Sequence, residues 1–182
     1  GFELYIKMNE AREIYNLIVD KGKKFNLSHC GMHAMDIMRM EKGYLHWGHD
    51  ISPEENQYEA GLRFAISYKK NVDFIGKEAL LKIKEQKPKK KLVILSLKDN
   101  KPGFPLLLHD EPIFYDDSIV GRTTSGNYSF NFNKNLAFGY VSINKSEDLK
   151  DNKLEIEIEK IRYKATIEHH PLFDPKNSYL KS

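Results

Sequence analysis

The chain has 182 residues, 40% of them hydrophobic, 30% charged and 12% aromatic, which excludes a disordered chain and leaves room for one ordinary domain or two small ones. Its longest apolar runs, such as Leu92-Val93-Ile94-Leu95, stop far short of the roughly 20 residues that span a bilayer, so no membrane is expected. Basic residues number 29 against 26 acidic, and only Arg12, Arg39, Arg63, Arg122 and Arg162 are arginine, the side chain that reads guanine and phosphate two-pronged, so no nucleic-acid partner is expected either.

Phe2 to Ile6 nearly alternates apolar and polar residues, predicting a strand with one buried face. Opening without an initiator Met and in mid-strand, the chain is expected to be cut from something longer. Asn9 is placed to cap a helix bearing Ala11, Ile14, Tyr15 and Ile18 on one face, with Gly22 just past its end. A second helix is expected over Gly31 to Lys42, with Ala34, Ile37, Met38 and Glu41 at helical spacing and Gly43 as terminator. A loop from Tyr44 to Pro53 then holds the single Trp and two histidines. Leu62, Phe64, Ile66 and Tyr68 alternate as a strand would. Asp73-Phe74-Ile75-Gly76 leads into a short helix, Lys77 to Ile83, and Lys87-Pro88-Lys89-Lys90-Lys91 reads as a solvated linker rather than an RNA contact. Beyond it the spacing predicts short strands at Leu92 to Leu97, Pro112 to Tyr115, Ser118 to Thr124, Leu136 to Ile143, Leu154 to Ile161 and Tyr163 to His169. Turn formers at Asp116-Asp117, Ser125-Gly126-Asn127 and Asp151-Asn152 separate them, implying a small antiparallel barrel or sandwich.

Cys30 is the single cysteine, which excludes an internal disulfide and fits a reducing compartment. His29, Cys30 and His33 put two imidazoles four residues apart, but no spacing in the chain supplies further ligands, so helix-entry residues are preferred to a metal and no metal is expected. His46, His49 and Asp50 are denser. The aspartate either orients an imidazole for acid–base work or satisfies its own loop backbone. Trp47 and Tyr44 either stack on a flat ligand or, for Trp47, join the core. Gly121-Arg122-Thr123-Thr124-Ser125-Gly126 lacks the lysine of a phosphate loop and reads as a hairpin turn.

Several of these runs, taken together, are similar to signatures of the glycine cleavage T-protein (aminomethyltransferase) superfamily. They are Met38 to Ile51, Glu59-Ala60-Gly61-Leu62, Asp73 to Leu80, Val120 to Gly126 and Leu136 to Val141. Trp47 and the ending Pro171-Leu172-Phe173-Asp174-Pro175 resemble more the folate-binding modules of sarcosine and dimethylglycine dehydrogenases. The resemblance implies an α+β chain, the carboxy-terminal part of a three-domain folate-binding cloverleaf. Residues 1–86 would be an incomplete α/β sandwich domain, and residues 91–182 a small antiparallel β-barrel. It implies a tetrahydrofolate-dependent one-carbon transfer module of a demethylating dehydrogenase, with the stand-alone T-protein and a non-catalytic folate-binding module as alternatives. The cofactors implied are tetrahydrofolate and, in an amino-terminal module of a dehydrogenase, FAD. Its partners would be an N-methylglycine-type substrate and the upstream part of the same enzyme. The setting would be the bacterial cytoplasm or, in a eukaryote, the mitochondrial matrix.

Gly1-Phe2-Glu3-Leu4 is similar to the family strand whose carboxylate holds the pterin. Alone, Glu3 would read as an exposed-face strand residue; the resemblance makes it the pterin anchor, since one carboxylate accepts two parallel N–H bonds from a guanidine-like edge. Tyr44 is expected to line the folate site, and His46, Trp47, His49 and Asp50 to form a supporting loop. The T-protein has an arginine two residues before the position of Ile37, where this chain has Met35. The family's reacting aspartate, and a tyrosine that accompanies the glutamate, fall in the half that would precede Gly1, so no residue here is assigned as catalytic. A chain lacking that half is expected to expose apolar surface and to associate or be poorly stable.

Overall fold

Residues 2–142 and 153–181 are described by the computed structural model; Ile143 and the expected turn at Asp151-Asn152 lie outside them. The chain divides into two compact units, Gly1–Met32 and His33–Ser182. The first contains helix α1, Ala11–Gly22, between single 3₁₀ turns at Met8–Glu10 and Lys23–Phe25. Asn9 lies inside the first of these turns, and Glu10 precedes the helix without a side-chain cap. Gly22 is the last helical residue, and Asn26, at φ 57°, ends the 3₁₀ extension. The strand expected at Phe2 to Ile6 does not form, because nothing among the described residues pairs with it and a lone strand leaves its backbone ladder unsatisfied. Among residues 2–32 none is buried.

The second unit opens inside α2, Met32–Lys42, followed among the described residues by α3, Lys77–Lys84, six strands and a terminal turn of helix, α4, Ser178–Lys181. Gly43 adopts φ 76° and its N–H reaches the Met40 carbonyl at 3.0 Å, the left-handed stop expected for α2. A Cβ there would meet Pro171 Cγ at 2.7 Å, so the glycine also admits the chain's closing segment. Leu62 to Tyr68 is not a strand but a loop around a 3₁₀ turn at Arg63–Ala65. Its alternation finds no pairing partner among the described residues, and Phe64 is exposed.

Strands β1 Lys90–Leu97, β2 Pro112–Tyr115, β3 Ser118–Ser129, β4 Lys134–Ser142, β5 Leu154–Ile158 and β6 Ile161–Glu168 close an antiparallel barrel in the order β1-β4-β3-β2-β5-β6. Closure satisfies every edge. The runs Leu92 to Leu97 and Leu136 to Val141 are apolar on both faces because each faces two cores. Val93, Leu95, Leu97, Ala137 and Val141 pack inside the barrel with Ile113, Leu154 and Ile156. Leu92, Ile94, Leu136 and Phe138 face outward onto Met40, Ile37 and Leu45. Burying each such side chain contributes about 1.5–3 kcal/mol. β3 runs through the expected turn at Ser125-Gly126-Asn127 to Ser129. Gly126 serves close approach instead: a Cβ would fall onto the Leu108 carbonyl and lie 2.7 Å from Leu107 Cγ. The lysine run is not all solvated, since Lys90 opens β1, pairs with Glu55 at 2.5 Å and lies over the Tyr140 ring at 4.6 Å.

Glu168 on β6 accepts hydrogen bonds from Ser96 Oγ at 2.6 Å and Lys134 Nζ at 3.0 Å. Burial raises its pKa, but these partners outweigh burial and hold it below the usual 4.5. A carboxyl depressed in the fold contributes stability above its unfolded value and loses it as pH falls through the folded one. Glu168→Gln is therefore expected to flatten the acid side of a melting-temperature profile below about pH 4.5, leaving neutral-pH slopes unchanged.

Candidate functional site

The Tyr44 to Pro53 loop is fixed from below by Asp50, which is fully buried. Its Oδ2 pairs with Arg39 of α2 and accepts the His46 N–H at 2.9 Å. Its Oδ1 accepts Thr124 Oγ1 at 2.6 Å and Ser125 Oγ at 2.8 Å, while its carbonyl accepts Tyr140 Oη at 2.9 Å. Consecutive strand residues normally point to opposite faces. Here a register shift between Thr123 and Ser125 turns both hydroxyls toward one carboxylate, as β-bulges do. Arg39 also holds Asp36 Oδ1 at 2.7 Å and Ser125 Oγ at 2.7 Å. Burial, with the Glu55, Asp50 and Glu59 carboxylates nearby, pushes the Tyr140 phenol up, so it stays a neutral donor. One buried acid thus joins α2, the loop, β3 and β4. A second, Glu41, accepts Ser129 Oγ at 2.6 Å and Asn131 Nδ2 at 2.8 Å.

Above this base the loop presents its rings outward. Trp47 is 66% exposed, which removes the core alternative for it. His46 and His49 are exposed too, with ring centroids 4.6 Å apart, and His109 lies 6.3 Å from His49. Tyr44 lines a cleft of about 740 Å³ that runs over Leu45, Leu92 and Phe138 to Pro171. His46, Trp47, His49 and Asp50 are not among the residues lining that cleft. The closing segment forms its far wall: Phe173 N–H reaches the Glu41 carbonyl at 2.9 Å, and Lys42 pairs with Asp174 at 2.9 Å.

In the first unit Glu3 is exposed and accepts Tyr5 Oη at 2.7 Å. His29 stacks on Tyr15 with centroids 5.9 Å apart, and Cys30 is exposed. Among the described residues no group of three His, Cys, Asp or Glu side chains is arranged to hold a metal ion, and no helix is long and apolar enough to cross a membrane. Sequence reasoning missed Arg39, Thr124 and Ser125 as the partners of Asp50, and His109 as neighbour of His49. A lone arginine on the half-buried side of α2, and consecutive hydroxyls on β3, were the signals available.

Residues 1–70 match the GCVT N-terminal domain and residues 90–174 the glycine cleavage T-protein C-terminal barrel domain. The chain is 36% identical over its whole length to 4-methylaminobutanoate oxidase (formaldehyde-forming) of Paenarthrobacter nicotinovorans, covering 21% of that protein. It is 36% identical over 94% of its length to human mitochondrial dimethylglycine dehydrogenase, covering 19% of it. It therefore spans about one fifth of these relatives. The fold is shared with glycine cleavage system aminomethyltransferase T from Bartonella henselae, at TM-score 0.76 and 21% identity, over 93% of this chain and 45% of that one. With both domain models of one family following each other along its length and relatives aligned across it, the chain belongs to the glycine cleavage T-protein superfamily.

Proposed function

We propose that this chain is the carboxy-terminal part of a tetrahydrofolate-dependent one-carbon transfer module in a demethylating enzyme of the sarcosine or dimethylglycine dehydrogenase kind. The observation that carries the reading is the family membership over nearly the whole chain. The exposed rings of Tyr44 and Trp47 over a buried, fully hydrogen-bonded base fit a flat ligand, because stacking needs rings held still. Tetrahydrofolate, when bound, supplies the nitrogens that take up the one-carbon unit. This chain's residues bind and orient it. Glu3 would hold the pterin edge by accepting two N–H bonds, beyond the one it takes from Tyr5. Tyr44 lines the site, and Asp50 sets the loop that carries His46, Trp47 and His49.

The N-methylglycine-type substrate, the FAD that oxidises it and the reacting groups belong to the upstream part of the enzyme. Its setting is the bacterial cytoplasm or the mitochondrial matrix, and in the whole enzyme residues 1–86 would complete a folate-binding α+β domain and residues 91–182 form the barrel domain, a division supported by the two family matches at 1–70 and 90–174. Glu3→Gln is expected to weaken tetrahydrofolate binding by about 10- to 100-fold in calorimetric titration, one or two charge-assisted bonds' worth. An unchanged affinity ends the pterin assignment.

A further inference from the structure

We propose that His46, His49 and His109 form a carboxylate-binding site beside Trp47. Their rings stand 4.6 and 6.3 Å apart in series, all exposed, and they come from two segments far apart in sequence. Their positions are built rather than incidental. The His46 N–H and the loop's far end are both fastened by Asp50, which is itself tied to β3 and β4. Among the described residues the carboxylate that pairs with these rings is Asp110, and it is already matched: it meets His109 Nδ1 at 2.9 Å and Arg122 at 3.1 Å. Among the described residues no acid pairs with His46 or His49, and the cluster does not have the geometry of a metal site. What remains is a set of imidazoles open to solvent, two of them on the loop that also carries the exposed ring of Trp47. A carboxylate on an organic body satisfies both: oxygens to the imidazoles, apolar skeleton against the ring.

The choice of carboxylate rests on the one-carbon reading, in which two ligands carry one: the glutamyl tail of the folate and the N-methylglycine. The geometry of the site does not rest on it. The groups facing the cluster are Asp110 and Arg122 beside His109, with Asp50 buried beneath the loop.

The test uses the full chain with γ-glutamylglutamate and, separately, N,N-dimethylglycine, read by histidine imidazole resonances and by the fluorescence of Trp47, the sole tryptophan. One probe is expected to move all three histidine signals. Its binding should weaken about tenfold in His46→Gln/His49→Gln. The probe that binds identifies the source, tail or amino acid. Silence with both probes, equal binding by the double variant, or the same shifts with chloride at matched ionic strength overturns the site. A chain that binds a carboxylate here but no reduced pterin keeps this site and loses the one-carbon reading. The reverse result removes the site alone.

Discussion

Replacing Asp50 by alanine is expected to destabilise the second unit by about 3–5 kcal/mol, the usual cost of stripping one partner from a buried ion pair. In this case the loss is compounded. Arg39 keeps Asp36 but loses its buried counter-charge, while Thr124, Ser125 and the His46 N–H lose their acceptor. Each group left dry and unpaired costs on the order of 1 kcal/mol more. For a chain this size the melting temperature should fall by roughly 10 °C or more. Asp50→Asn keeps one acceptor oxygen and should lose about half as much. A loss below about 1 kcal/mol in Asp50→Ala, measured by urea unfolding, would show that the loop is held by something else.

Gly121→Ala is the second large effect. Gly121 sits opposite Val141 where β3 crosses β4, and a methyl group built on it lands on the Tyr140 carbonyl oxygen. The obstacle is backbone rather than a flexible tip, so relief requires β3 and β4 to separate where they make the longest pairing in the barrel. The expected cost is about 3 kcal/mol or more, seen as loss of cooperative melting and of the native circular dichroism. Gly31→Ala is the matched control, since a Cβ there meets nothing within 4 Å; it should stay within about 0.5 kcal/mol of the parent. Equal effects from the two substitutions would refute the steric account.

The helices and the barrel were legible because their signals are local. The 3.6 spacing of α2, its Gly43 stop, and the short apolar runs between turn formers need no knowledge of neighbours. The segments at Phe2 to Ile6 and Leu62 to Tyr68 carry the same alternation and are not strands, since a strand is decided by its partner. Gly126 was misread for the converse reason: a glycine among small polar residues looks like a turn until the Leu107-Leu108 backbone lies against it. The loop aspartate was foreseen either as an orienter of imidazole or as a backbone tie. Its contact with the His46 N–H is the local half of the second alternative. The other half spans 74 residues to Thr124, and no spacing rule joins positions that far apart. Tyr44 on the cleft wall and Trp47 out in solvent likewise depend on which way the loop is tethered.

The first unit has a further consequence. With no buried residue between 2 and 32, that stretch adds almost nothing to the heat absorbed when the chain unfolds, because the enthalpy of melting scales with the surface taken from water. A calorimetric peak therefore reports the closed barrel and the helix lying on it. The amino-terminal helix is expected to loosen over a broad range of temperature outside that peak, so any ligand held on that segment would have to supply its ordering from its own binding energy.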